Sequence, residues 1–131
     1  MENKVILEVV MKNENMREGQ IIYSGVATYE NKENAYILKY QDEGKVVNRI
    51  RFTPSSCILH RKGNDEIRIH LTLENSSYLE VNTEYGWVRT EVNTKQLYCQ
   101  PDFWQINYSF GSTNPPEDFI SCSWKIKQRL S

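Results

Sequence analysis

Apolar and polar residues alternate along most of the chain. The clearest stretch sets Ile120, Cys122, Trp124 and Ile126 between Ser121, Ser123, Lys125 and Lys127. In an extended strand that spacing puts one set on a buried face and the other in water. Turn compositions recur at short, even intervals, among them Asn13-Glu14-Asn15, Glu30 to Asn34, Asp42 to Lys45, Gly63-Asn64-Asp65, Glu74 to Ser77 and Pro101-Asp102. A meander of antiparallel strands needs such intervals, because each strand must reverse before it pairs with the next. The pattern predicts strands near residues 4–12, 20–30, 34–42, 46–52, 56–62, 66–74, 78–83, 87–93, 96–100, 103–110 and 119–128. Helical spacing is nowhere sustained beyond one turn, for which Asn13 to Gly19 and Pro115 to Asp118 are the candidates.

One hairpin has a register that the sequence itself specifies. With a three-residue loop from Gly63 to Asp65, Arg61 faces Ile67, Leu59 faces Ile69 and Cys57 faces Leu71, which unites the apolar sets on one side. His60 then falls opposite Arg68, and Ile58 opposite His70, on the outer side. So many sequential strands with one apolar face would leave long unpaired edges in a flat sheet, and closure into a barrel removes them. The expected lining is Leu38, Leu59, Ile69, Leu71, Val81, Ile106 and Ile126 with the rings of Tyr36, Tyr40, Phe52, Trp104, Tyr108, Phe110 and Trp124. A barrel of about eight strands has an interior that side chains just fill, or that holds one small molecule.

Composition narrows the picture. The 131 residues fit a single domain, 1–131, large enough to fold on its own core. Sixteen basic against seventeen acidic residues leave a net charge of -1, so no general field draws the chain toward phosphate backbones. The apolar run Val5 to Met11 is interrupted by Glu8 and lacks a small-residue cleavage site, unlike a signal peptide or a membrane span. Cys57, Cys99 and Cys122 are odd in number, spaced unlike a zinc site and set in apolar contexts, which is the usage of reduced, buried thiols in a cytoplasmic protein.

Short pieces in a fixed order carry a family resemblance from about Ala35 to the C-terminus. They are Tyr36-Ile37-Leu38-Lys39-Tyr40-Gln41-Asp42, Ile58-Leu59-His60-Arg61-Lys62-Gly63, Tyr78 to Gly86 with its Thr-x-Tyr-Gly element, and Ile106-Asn107-Tyr108-Ser109-Phe110. With them the chain resembles the YwiB-like family of lipocalin-like, or calycin, β-barrels, whose function is uncharacterised. The N-terminal portion departs more, and Glu14 to Gly19 has no matching feature. The resemblance implies an all-β antiparallel meander closed into a barrel of eight or more strands, in a cytoplasmic bacterial protein. It implies no reaction.

Candidate chemistry is sparse. Arg61 has inward parity near a strand end, where its planar donors either anchor a carboxylate or phosphate at the barrel mouth or close the end on a carboxylate such as Asp65 or Glu66. Thr83, Tyr85 and Gly86 mark either a bulge that aims side chains at a site or a simple bend. Tyr36, Tyr40, Trp104 and Tyr108 either present polar tips to a ligand in an apolar cavity or fill that cavity with their rings. His60 and His70, both outward, have no natural nucleophile partner and no converging ligands, so neither catalysis nor a metal is expected and no cofactor is implied. Arg49, Arg51, Lys62, Trp87 and Arg89 have the composition that stacks and holds single-stranded RNA, but acidic residues interrupt every group. The loop Gly111 to Asp118, stiffened by Pro115-Pro116, is either a lid or a plain connection. The expectation is a non-enzymatic barrel that binds a small apolar or amphipathic molecule. The alternative is a filled barrel acting as an interaction module for a protein partner or a second copy of itself, and nucleic-acid binding ranks below both.

Overall fold

The period-two pattern folds as its hydrophobicity requires. The computed structural model describes residues 3–110 and 119–130, and among these every regular element is a β-strand. In chain order they are β1 (Asn3–Asn13), β2 (Gln20–Lys32), β3 (Ala35–Gln41), β4 (Val47–Thr53), β5 (Ser56–Lys62), β6 (Glu66–Thr72), β7 (Ser77–Thr83), β8 (Gly86–Gln100), β9 (Phe103–Ser109) and β10 (Phe119–Arg129). Each strand pairs antiparallel with its neighbours in sequence, and β1 also pairs with β10, so the ten strands form a closed barrel. Closure satisfies nearly every ladder and leaves few edges for other chains to template on.

The β5–β6 hairpin has the register expected from the pattern, with Cys57 opposite Leu71, Leu59 opposite Ile69, Arg61 opposite Ile67 and His60 opposite Arg68. The two-residue turn between β2 and β3 places Glu33 and Asn34 at φ 53° and 65°. Two successive positive φ values match the right-handed strand twist in a two-residue hairpin, and Asn accepts that conformation more readily than Glu does.

Three expectations need correction. The segments 87–93 and 96–100 are one strand, β8, whose first half pairs with β7 and whose second half pairs with β9, with a bulge between Thr94 and Gln96. Asn93-Thr94-Lys95 has turn composition, but the chain bulges there and exchanges partners without reversing. The Ser77 and Thr94 hydroxyls, 2.5 Å apart, join the corner where the exchange takes place. Phe110, expected inside, is 38% exposed and meets Tyr108 edge-on, 5.8 Å between ring centres. Asn13 to Gly19 turns without a helix, whereas Pro115 to Asp118 and the proposed lid from Gly111 to Asp118 lie outside the described residues.

The buried set is continuous. Val5, Leu7 and Val9 of β1 are fully buried alongside Leu38, Ile50, Phe52, Cys57, Leu71 and Trp104. One end of the barrel is packed with rings. Trp104, 0% exposed, stacks on Phe52 at 5.4 Å and meets Tyr36 at 5.5 Å and Tyr29 at 6.0 Å. A latch covers that end from outside, where Arg129 of β10 pairs with Asp102 in the β8–β9 turn and its guanidinium lies 5.1 Å over the ring of Tyr29. Backbone bonds from Ile126 N to Asp102 O, 2.9 Å, and from Leu130 N to Lys4 O, 2.8 Å, complete it.

Candidate functional site

The strands that carry the ring plug continue toward the opposite end with smaller inward residues. There the interior opens into a cavity of about 400 Å³. Its floor is Trp124, 1% exposed, whose indole N–H donates to the Tyr40 hydroxyl at 3.2 Å and whose ring meets Phe52 edge-on at 5.2 Å. Its walls are aliphatic and come from five strands: Leu59, Ile67, Ile69, Leu79, Ile106 and Ile120. Tyr108 and Cys122 complete the apolar wall.

The mouth is polar and is built by local sequence. Asp42 follows β3 and accepts from the N–H groups of Gly44, 3.2 Å, and Val46, 3.3 Å, through one carboxylate oxygen, which shapes the β3–β4 turn. Its other oxygen faces the Arg61 guanidinium at 3.5 Å. Asn48, 5% exposed at an inward position of β4, donates to Val46 O at 3.2 Å and stands opposite Arg61 in the ladder. Arg61 therefore does lie at the barrel mouth, and the carboxylate it meets is Asp42 rather than Asp65 or Glu66. About half of its side chain is in water, so the pair holds the guanidinium in place without removing it from solvent.

On the other side of the mouth Tyr23 of β2 folds over the ring of Tyr40, 4.5 Å between centres and tilted by 31°. Gly25 permits this arrangement, since a Cβ there would come within 3.0 Å of the Tyr23 hydroxyl oxygen. That hydroxyl donates to Val26 O at 2.6 Å.

The buried tyrosine and cysteine groups of the cavity wall are held neutral near pH 7. Burial pushes the Tyr108 hydroxyl and the Cys122 thiol up to about 12. Burial also raises Tyr40 well above the ordinary tyrosine value, an effect partly offset by the N–H that Trp124 donates. Cys57, deeper in the core, is raised by burial too. Groups shifted in this direction can donate a hydrogen bond or pack, but they supply neither a thiolate nor a base. Among the described residues no three His, Cys, Asp or Glu side chains converge to hold a metal.

Of the residues singled out from the sequence, the structure brings Tyr40, Arg61 and Tyr108 together around this cavity. Tyr36 and Trp104 belong to the ring plug at the other end. Among the described residues the buried indole N–H of Trp104 has no hydrogen-bond acceptor of good geometry, and it faces the Cys99 thiol. Thr83 and Tyr85 take no part in the lining. Thr83 donates to Gly86 O at 2.7 Å and accepts from Tyr85 N at 3.2 Å, while Tyr85 is 92% exposed at the tip of the β7–β8 turn. Gly86, at φ +107°, ends that turn, so the Thr-x-Tyr-Gly element is turn chemistry, neither a bulge nor a bend within a strand. Sequence reasoning missed Tyr23, Asp42 and Asn48. Asn48 carried a signal, a polar side chain in the inward parity of Ile50 and Phe52.

A second hollow, of about 620 Å³, lies on the surface beside the β6–β7 turn. Turn and surface groups such as Asn75, Ser76 and Lys95 wall it.

Comparison with known proteins agrees with the architecture. A family described as "Domain of unknown function (DUF1934)" matches residues 5–111, which takes in the N-terminal strands where the resemblance was weakest. Among solved structures, the crystal structure of ywiB protein from Bacillus subtilis is similar, with a TM-score of 0.66 over 97% of this chain and 94% of that one. The two sequences are 14% identical, so the likeness is one of fold. No curated protein matches the chain.

Proposed function

The chain belongs to the DUF1934 family, with a YwiB-like barrel and no activity attached to it, and from that premise we propose that it binds a small apolar or amphipathic molecule in the barrel without catalysing a reaction. The cavity carries this reading. Its volume of about 400 Å³ falls in the range of small-molecule sites, and it combines aliphatic walls with a few convergent polar groups at one end. A ligand seated there has its apolar part against Leu59, Ile69, Leu79 and Ile106 and its polar part near Arg61, Asn48 and the Tyr23 and Tyr40 hydroxyls. The buried tyrosine and cysteine groups act as neutral wall. The test is native mass spectrometry of freshly purified protein together with displacement of an environment-sensitive dye. The expected result is a retained small molecule or a saturable dye signal that Leu59→Trp, by filling the cavity, abolishes. A clean apo mass with no dye binding contradicts the proposal.

A second reading, that of an interaction module, is favoured by the β2 edge. Pairing with β3 covers only Thr28 to Lys32 of β2, and Ile21, Ile22 and Val26 in the uncovered portion are about half exposed. An apolar stretch on an unpaired strand edge is a surface on which another chain can add a strand. Light scattering at high concentration tests self-association through it. A dimer that Val26→Lys dissolves supports the reading, and a strict monomer removes its self-association form.

A further inference from the structure

The near-neutral charge of the whole chain averages over two unlike outer surfaces. Across the middle of β9 and β10 the outward residues are Gln105, Asn107, Ser121 and Ser123, uncharged and partly bonded to one another, as in Gln105 Nε2 to Ser121 Oγ at 3.3 Å, and only Lys125 and Lys127 further along β10 add charge to these two strands' described outer face. Across β4 to β8 they form a cross-strand row, Arg49 opposite His60, His60 opposite Arg68, Arg68 opposite Glu80 and Glu80 opposite Arg89. Arg51 and Lys62 flank that row on the same face. The three outward acids of this face meet five outward cations: Glu66, Glu80 and Glu91 against Arg49, Arg51, Lys62, Arg68 and Arg89. Two of those acids are already engaged. Glu66 is bonded to His60 Nε2 at 2.6 Å, and Glu80 meets Arg89 at 3.3 Å. Arg49 and Arg51 have no partner among the described residues. They are adjacent outward positions on one strand, so two cations stand roughly 7 Å apart, and among the described residues neither is in an ion pair.

The aromatic residues of this face add planarity. The guanidinium of Arg68 lies 4.2 Å over the Trp87 ring and that of Arg89 lies 4.1 Å over the Tyr78 ring. His70 Nδ1, 3.1 Å from the Tyr78 hydroxyl, helps fix that ring. Half or more of each arginine side chain is in water, 50% for Arg68 and 59% for Arg89. Two flat cations are thus held over aromatic rings, each beside a carboxylate, Arg68 at 3.9 Å from Glu66 and Arg89 at 3.3 Å from Glu80. A guanidinium plane of this kind stacks on a nucleobase, and a nearby unpaired cation takes the phosphate.

We propose that the outer surface of β4 to β8 is a binding site for single-stranded nucleic acid, with Arg49, Arg51 and Lys62 holding phosphates and the ring-backed guanidiniums of Arg68 and Arg89 stacking bases. The surface lies outside the barrel, so this site and the cavity ligand stand or fall separately. The assay is fluorescence anisotropy of the intact protein with a labelled single-stranded RNA of about a dozen nucleotides. Three phosphate contacts give a salt slope near -2, so affinity falls about 20-fold from about 50 to about 200 mM salt. Arg49→Glu with Arg51→Glu is expected to weaken binding at least tenfold while the thermal transition stays in place, because both side chains lie on the outer face without partners. Lys125→Glu with Lys127→Glu, on the outer side of β10, leaves binding within twofold. Trp87→Leu, which removes the seat of Arg68, lowers affinity for the single strand more than for a duplex of the same length. The proposal is overturned by no anisotropy change at low salt, by equal losses in the two double-charge variants, or by polyglutamate competing as well as the RNA does. Equal affinity for duplex and single strand overturns the base-stacking assignment.

Discussion

At one end of the barrel Trp104, Phe52, Tyr36 and Tyr29 fill the interior ring against ring, and Arg129 with Asp102 ties the strands across the top. At the other end Tyr23 and Tyr40 stand beside a cavity, and Arg61 with Asp42 spans its rim in water. Both ends use tyrosines and one arginine–aspartate pair, with opposite results. What differs is the size of the inward residues between them. In β2 the inward series runs Tyr23, Gly25, Ala27, Tyr29, so small residues separate two rings, and each ring leans toward its own end. Where four rings meet they fill the barrel, and where Tyr40 and Tyr108 stand among aliphatic residues they form a wall.

The largest expected effect concerns the plug. Trp104→Ala removes a fully buried indole and is expected to cost about 3–5 kcal/mol in chemical denaturation, whereas Tyr23→Ala at the mouth costs less than about 1.5 kcal/mol. Equal losses would mean that the two ends are packed alike.

Alkaline stability comes next. The Cys122 and Tyr108 groups ionise near 9 and 10 when unfolded, and burial moves both to about 12 in the fold. The unfolded chain thus loses these protons first. The stability they contribute is complete below about pH 9, erodes as pH rises, and is gone by about 12. Each group accounts for up to about 1.4 kcal/mol per pH unit within that window. Denaturation midpoints measured from pH 8 to 11 should fall, and Cys122→Ala should flatten the fall; an unchanged slope would place the thiol outside the buried wall. Cys99, the least buried of the three thiols, should react first with a thiol reagent, and Cys57 last.

The smallest effect on stability sharpens the comparison most. Arg61→Ala breaks an exposed pair and should change stability by no more than about 0.5 kcal/mol, while weakening retention of any ligand whose polar group sits at the rim. The counterpart at the latch, Arg129→Ala, also strips the cover from Tyr29 and should cost more, about 1 kcal/mol or above. If both substitutions are equally mild, the latch does not hold the closed end.

Much of the architecture was legible in the residues themselves. Alternation with a period of two has one physical solution in water, a sheet with one dry face, and the β5–β6 register followed because a one-residue slip would turn Leu59 and Ile69 outward. The strand count was harder. Asn93-Thr94-Lys95 reads as a turn because the same residue types serve turns and bulges, and only the strands on either side decide which one forms. The candidate site was half legible. Tyr40, Arg61 and Tyr108 have the inward parity that the cavity uses, but parity says which face a residue occupies and nothing about its depth along the barrel. Tyr36 and Trp104 share that parity and lie in the plug.

The alternation alone determined an antiparallel, inward-facing meander and the set of side chains kept from water, because burial of apolar area depends on local spacing. Only the tertiary structure decided which of those side chains share a level, and hence that one end is full and the other hollow. It also decided that Arg68 lies on Trp87 and that Arg49 and Arg51 stand unopposed, since depth and cross-strand neighbours are set by the stagger of ten closed strands and not by any residue's place in the chain.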